Sequence, residues 1–237
     1  MAASHLEPID ALAELSQIKL GETDLRGVQE SIVGLAKRTV PGTRAVSVTL
    51  VQGTEAHTVA ATGPLAVQLE TWQYEHGSGP CLDAAEAGGT VSIPDTSAEP
   101  RWPDWAAQAH AEGIRSLLSI GLPVQEAVVG ALNMYGAVPD AFDEDSINLA
   151  RTFAGYAAVA LANAHLYDAT STVVRQLRTA MESRAVIEQA KGIIMGDRRC
   201  TADEAFALLV KVSQDSNRKV RDVAARLVAE ANQPRRS

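Results

Sequence analysis

The chain has 237 residues, 46% of them hydrophobic and 21% charged, a balance that can bury a core and fits one medium domain plus a small one, so the bulk of the chain need not be disordered. No apolar run reaches the roughly 20 residues of a membrane helix, and the opening MAASHLEPID has neither the basic nor the apolar region of a secretory leader. Two cysteines, Cys81 and Cys200, make no disulfide framework, so the expected compartment is the cytoplasm, away from any membrane.

The net charge of −8 conceals an asymmetry. Residues 1–170 carry 8 Lys and Arg against 21 Asp and Glu, whereas residues 171–237 carry 13 against 8. An acidic body with a basic end is expected where one part of a chain meets a polyanion. A helical tail with a Lys- and Arg-rich solvated face gives the same count.

Ile9, Leu12 and Leu15 mark a first helix, and Leu25, Val28, Ile32 and Leu35 a second, separated by Gly21 and stopped by Pro41-Gly42. The period then changes to two. Val46, Val48 and Leu50 alternate with Ser47 and Thr49, which predicts a half-buried strand, partnered by residues 57–62 across the turn near Gly53. A helix over 65–76 ends at Gly77-Ser78-Gly79-Pro80. Strands follow at 90–93, 117–124 and 128–135, the last two as a hairpin. Between them lie the segment RWPDW at 101–105 and a short helix over 106–112. Antiparallel strands inside and helices outside make an α+β domain.

From Asp143 the pattern is helical, with no proline between Pro139 and Pro234. One long helix, or two nearly continuous ones, is predicted over 145–195. Phe153, Tyr156, Ala160, Asn163, Tyr167, Val174, Leu177 and Met181 give a heptad-like seam, read as packing on the domain's own sheet for 145–165 and as an inter-subunit coiled coil for 168–190. Thr201 and Glu204 form a capping box that opens a helix through Phe206, Leu209 and Val212 to about Ser213. Ser216 or Asn217 caps a last helix with Val220, Val223, Ala224, Leu227, Val228 and Ala231 on one face. A three-helix unit of roughly 60 residues is small enough to call for help from dimerisation.

Residues 183–195, SRAVIEQAKGIIM, resemble the opening of an ANTAR module, a bacterial RNA-binding antitermination domain. The likeness continues through AFALL at 205–209 and NRKVRDVA at 217–224, and covers about residues 175–232. Upstream, GSGPCLDA at 77–84, IPD at 93–95, RWP at 101–103, GIRS at 113–116 and GALNMY at 130–135 resemble a GAF sensor domain over about 22–168. The resemblance implies a GAF-like antiparallel sheet flanked by helices, then a coiled-coil helix leading into a small three-helix ANTAR module. The layout expected is an N-terminal helix in 1–21, a sensor domain over 22–168, coiled-coil linker and RNA-binding domain over 169–232, and a tail at 233–237. It further implies a cytoplasmic homodimer joined through its helical region, which binds RNA stem-loops that compete with a terminator and touches RNA polymerase only indirectly.

Candidates for phosphate and base contacts are Arg184 and Lys191 on the module's first helix, then Asn217, Arg218, Lys219 and Arg221 at the start of its third, where the helix N-terminus also suits a phosphate. Asn217 either caps that helix or reads a base, capping being preferred. Arg198-Arg199 either extends the phosphate track or is a solvated turn. Gly192 costs a helix roughly 1 kcal/mol against alanine and is explained by a close approach, of another helix rather than of RNA.

At the sensor end, Cys81 is either a redox or ligand-sensing thiol or a buried inert one, the latter preferred. Trp102 and Trp105 line a ligand cup or pack on the sheet. The five histidines are scattered singly and predict no metal site. No cofactor is expected and no ligand is named. Cyclic-nucleotide GAF domains carry an Asn-Lys pair that this sequence lacks. Catalytic motifs are also missing, so the chain is read as a regulator and not an enzyme. The competing reading is a DNA-binding helix-turn-helix regulator, set against a second helix poor in cations and an acidic-polar loop, Gln214-Asp215-Ser216.

Overall fold

The computed structural model describes residues 7–53, 55–125 and 128–232. The chain divides into two compact units, Met1–Asp168 and Ala169–Ser237. The first contains α1 (Pro8–Ser16), α2 (Leu25–Thr39), β1 (Thr43–Gln52), β2 (Glu55–Ala61), α3 (Pro64–His76), α4 (Pro80–Ala87), β3 (Thr90–Ile93), a 3-10 turn at Thr96–Ala98, α5 (Pro103–Ala111), β4 (Ser116–Gln125) and β5 (Val128–Gly136). Helix α6 spans Glu144–Arg198, and α7 (Ala202–Ser216) and α8 (Val220–Ala231) follow. The tail at 233–237 lies outside the described residues.

Four helices of the first unit open on proline: Pro8, Pro64, Pro80 and Pro103. A proline at the first helical position gives up an N–H that has no partner there anyway, and its fixed φ suits the turn. The sequence reading took Pro80 only as a stop, and so missed α4. It also began α5 three residues late.

The five strands run in the order β2-β1-β5-β4-β3 with every neighbouring pair antiparallel. On one face Val46, Val48 and Leu50 of β1 join Leu132, Met134 and Leu118 under α2 and under Phe153, Ala157 and Leu161 of α6. On the other, α3, α4 and α5 bring Leu69, Cys81, Ala84 and Trp105 onto the sheet. The strand β1 is therefore not half-buried as the alternation predicted. Ser47 and Thr49 are wholly inaccessible, because the second face is roofed by helices as well. Gly121 of β4 marks how near the roof lies: a side chain there would run into the Ala84 carbonyl of α4.

The predicted seam along α6 also splits. Phe153 is in the core, whereas Tyr156 is 55% exposed and Val174, Leu177 and Met181 are 60%, 61% and 65% exposed. Exposed Tyr156 departs from the packing expected over 145–165, whereas Val174, Leu177 and Met181 lie in the stretch expected to face a second subunit.

The second unit is built from the end of α6 with α7 and α8. Its buried core is Ala190, Leu209 and Ala224, bordered by half-buried Val186, Ile187, Ile194, Val220 and Val223. The capping box is formed: Thr201 Oγ1 accepts from the Glu204 N–H at 3.3 Å, and the Glu204 carboxylate accepts from the Thr201 N–H at 2.8 Å. Thr201→Ala is expected to lower the unit's stability by about 1 kcal/mol, read as a shift in the helical melting transition. Helix α7 continues past Ser213 to Ser216, and Asn217 follows with φ 51°, ψ 42°. That left-handed conformation closes α7. Asn217 is thus not the cap of α8, whose N-cap is Lys219 with no side-chain cap bond.

Candidate functional site

The interior of the first unit is organised around a carboxylate the sequence reading did not single out. Glu70 lies on the face of α3 that carries Ala66, Leu69 and Gln73, all buried against the sheet. Its carboxylate accepts from Ser47 Oγ at 3.0 Å, Thr49 Oγ1 at 3.1 Å and Cys81 Sγ at 2.6 Å, and from the Tyr135 hydroxyl in a very short bond. Tyr74 bridges Thr49 and Thr58 at 2.8 and 2.9 Å. Asn133 donates to Ser47 and Thr49 at 3.3 Å each, while its Oδ1 and the Ser119 hydroxyl are buried without a partner among the described residues. Burial pushes the Glu70 carboxyl up, opposed by hydrogen bonds from Cys81, Tyr135, Ser47 and Thr49.

The same cluster decides the chemistry of Cys81. Its thiol is wholly buried, and burial followed by the charge of Glu70 raises its pKa well above the ordinary value. A thiol held protonated against a carboxylate is a poor nucleophile. Gln73 accepts from the Cys81 N–H at 2.9 Å, which ties the end of α3 to the start of α4. Trp105 packs in the core with Ile93, Leu117 and Tyr135, and its indole N–H has no partner among the described residues. Trp102 is half-buried under the Arg101 guanidinium, 4.5 Å above its ring. Cys81 and Trp105 are therefore interior residues, and neither lines an open cup.

The signal for Glu70 was in the sequence. Polar Glu70 and Gln73 fall on the apolar stripe of a helix, and Ser47, Thr49, Asn133 and Tyr135 recur at every second strand position. Polar residues set at inward positions on three elements mark a buried network.

A cleft between β1–β2, α3 and α4, about 890 Å³, is lined by Val51, His57, Tyr74, Gly77, Leu82 and Glu86 among others. Tyr74 separates it from Glu70, to which its hydroxyl lies at 3.4 Å.

In the second unit the predicted cations fall into groups. Arg184, Lys191 and Arg198 recur every seven residues and so share one stripe of α6. Arg184 is exposed; Lys191 is 17% exposed in its side chain and paired with Glu188 at 2.9 Å. Arg218 and Lys219 are exposed in the short link between α7 and α8, and Arg221 stands 3.4 Å from Asp222. Arg218 joins Arg198 and Arg226 around an apolar cleft of about 540 Å³. Sequence reasoning gave Arg226 no role, because only the fold brings α8 beside the end of α6. Gly192 has nothing within 4 Å of the position a side chain would take, so among the described residues no other helix of this chain makes the close approach expected there.

Among the described residues no helix is long and apolar enough to cross a membrane, and no group of three His, Cys, Asp or Glu is placed to hold a metal ion.

The family model for the GAF domain matches residues 22–162, and that for the ANTAR domain matches residues 175–228. Comparison with curated proteins found no match. Among solved structures the chain is similar to the GAF domain of a phosphoenolpyruvate-protein phosphotransferase from Coxiella burnetii, with 18% identity, a TM-score of 0.52, and coverage of 68% of this chain and 96% of that one. It is also similar to a bacteriophytochrome from R. palustris, with 12% identity, a TM-score of 0.54, and coverage of 85% of this chain and 45% of that one. At such identities the likeness speaks for the fold alone. GAF domains are sensor domains and ANTAR domains are RNA-binding antitermination modules, so their union is a signal-transduction regulator. The chain belongs to the GAF domain family and carries an ANTAR domain at its basic end.

Proposed function

We propose that this protein is a transcription antitermination regulator in which a sensor domain over 22–168 controls a coiled-coil and RNA-binding domain over 169–232. That domain binds paired RNA stem-loops and keeps a terminator from forming, so that RNA polymerase is affected only indirectly. The observation that carries the reading is the ANTAR match over residues 175–228, coincident with the basic part of an otherwise acidic chain.

The working form is a homodimer. Exposed Val173, Val174, Leu177 and Met181 on α6 are apolar surface that a second copy of the helix would cover. The stripe of Arg184, Lys191 and Arg198, with Arg218, Lys219 and Arg221 on the adjoining link and helix, supplies phosphate neutralisation. Asn217 stands in the same link and can reach a base. Helix α7, which would be the recognition helix of a DNA-binding reading, holds Lys211 as its one cation, and this favours RNA. Cys81, buried and protonated, acts structurally, as Trp105 does.

Binding of the purified chain to a labelled RNA with two six-nucleotide-loop hairpins, across a salt series, tests this. Neutralising about three phosphates per protomer predicts a slope of log affinity on log salt of roughly −4 to −5 for the dimer. Lys219→Ala is expected to reduce that slope by about 1 per protomer while leaving the dimer intact. Equal affinity for duplex DNA of the same sequence would sink the reading.

A further inference from the structure

The second unit leaves open an apolar cleft that its own helices do not fill. Ile193 and Ile194 of α6, Leu208 and Val212 of α7, and Val223 and Leu227 of α8 line the cleft of about 540 Å³. A unit whose buried core is Ala190, Leu209 and Ala224 has little apolar surface to leave in water, and an occupant would remove it. The rim is charged and comes from every helix that bounds the cleft: Arg198 and Asp197 from α6, Arg218 just after α7, Arg226 and Glu230 from α8.

We propose that this cleft takes one unpaired nucleobase of the bound RNA, with Asp197 accepting a hydrogen bond from the base's amino group and Arg198 and Arg218 holding the flanking phosphates. The inference rests on the RNA-binding reading above and adds where, and by what chemistry, sequence is read. The volume lies within the ~300–1,000 Å³ of sites for small organic groups. Branched aliphatic walls suit the faces of a base, and guanidinium planes stack on bases as well as pairing with phosphate.

The carboxylates are the discriminating feature. On a surface that met only phosphate they would be repulsive, but a carboxylate accepts from base amino groups. Glu230 is held by Arg226 at 2.8 Å. Asp197 makes no ion pair among the described residues, so its acceptor oxygens are free for a base. The site therefore selects adenine, cytosine or guanine over uracil, which has no amino group. An apolar side chain of a protein partner would fill the walls but leave Arg198 and Arg218, which make no ion pair among the described residues, without a counter-charge, Arg226 alone being held by Glu230.

The test uses the full chain and a pool of RNA hairpins with a randomised six-nucleotide loop. The wild type is expected to enrich loops with an amino-bearing base at one position. Asp197→Asn, exposed and nearly isosteric, is expected to weaken that preference roughly tenfold, the scale of one good base contact. Val212→Asp, at a half-exposed wall position, is expected to abolish the preference while the salt slope persists. RNA binding with the same loop preference in both variants would overturn the cleft while leaving the antitermination reading standing. Loss of the dimer in Val212→Asp with loop preference unchanged would give the cleft to a second copy and likewise overturn the proposal. No RNA binding by the wild type would overturn both.

Discussion

Replacing Glu70 by alanine is expected to cost the sensor domain about 4 kcal/mol, because Ser47, Thr49, Cys81 and Tyr135 would all lose their shared acceptor, with the Tyr74 hydroxyl left for Thr49 and Thr49 Oγ1 at 3.8 Å left for Cys81. The three tryptophans, Trp72, Trp102 and Trp105, all fall within the first unit. Denaturant unfolding followed by tryptophan fluorescence therefore reports that unit alone, which matters in a two-unit chain that need not unfold in one step. Glu70→Gln keeps the volume and one acceptor and is expected to cost less. It also carries a pH signature. Burial raises the native carboxyl above its ordinary value near 4.3, so the folded state binds that proton more tightly than the unfolded chain does. The contribution is full below the ordinary value and is lost as pH rises through the raised one. Relative to the Gln variant, the wild type should weaken as pH climbs above about 4.3. A wild type that instead gained on the Gln variant over that window would mean that the surrounding hydroxyls stabilise an ionised carboxylate.

Leu209→Ala is expected to unfold the second unit. Leu209 is the one large side chain in its buried core, between Ala190 and Ala224. Removing a buried leucine costs about 2–5 kcal/mol, and a core of this size rarely supplies more than about 3–5 kcal/mol in all. Far-UV circular dichroism should lose the helical signal of α7 and α8 while the tryptophan transition stays in place, and RNA binding should vanish. Leu209→Met, which nearly conserves volume, should cost less than about 1.5 kcal/mol and retain binding. If Leu209→Ala kept a cooperative helical transition at the wild-type temperature, the unit would be held together by something other than this core.

Local signals were readable in the sequence, and long-range ones were not. The capping box at Thr201 and Glu204 involves residues three apart, and it forms as read. The switch from a period near 3.6 to a period of two located β1 within a few residues. What alternation could not say is whether the polar positions of β1 face water or a second layer, because that depends on helices more than ten residues downstream. Glu70 was passed over for the same reason. On a helix wheel it is a charged residue on an apolar stripe, and only the arrival of Tyr135 and Cys81 makes it the centre of a network. The cleft cations were half visible: Arg218 stood in a basic run, but its companions Arg198 and Arg226 lie on other helices. Asn217 was misplaced by one helix, since a left-handed residue ending α7 and a cap opening α8 draw on the same residue types.

The order of the strands has a consequence for how the protein is made. β1 lies between β2 and β5, and Ser47 meets Asn133 across 86 positions of sequence. The two hairpins can form as soon as each is synthesised, yet the central β1–β5 ladder has to wait until the ribosome has delivered residues through Gly136. Closing so long a loop delays folding much more than it reduces final stability. Until then β1 is a nascent strand with one edge unpaired, and Val46, Val48 and Leu50 have α2 to pack against but not yet α6. The helical end, by contrast, is stitched by contacts near in sequence and can take shape as it emerges. During translation the interval between residues 52 and 136 is therefore the stretch over which a chaperone, or a pause in synthesis, would matter most.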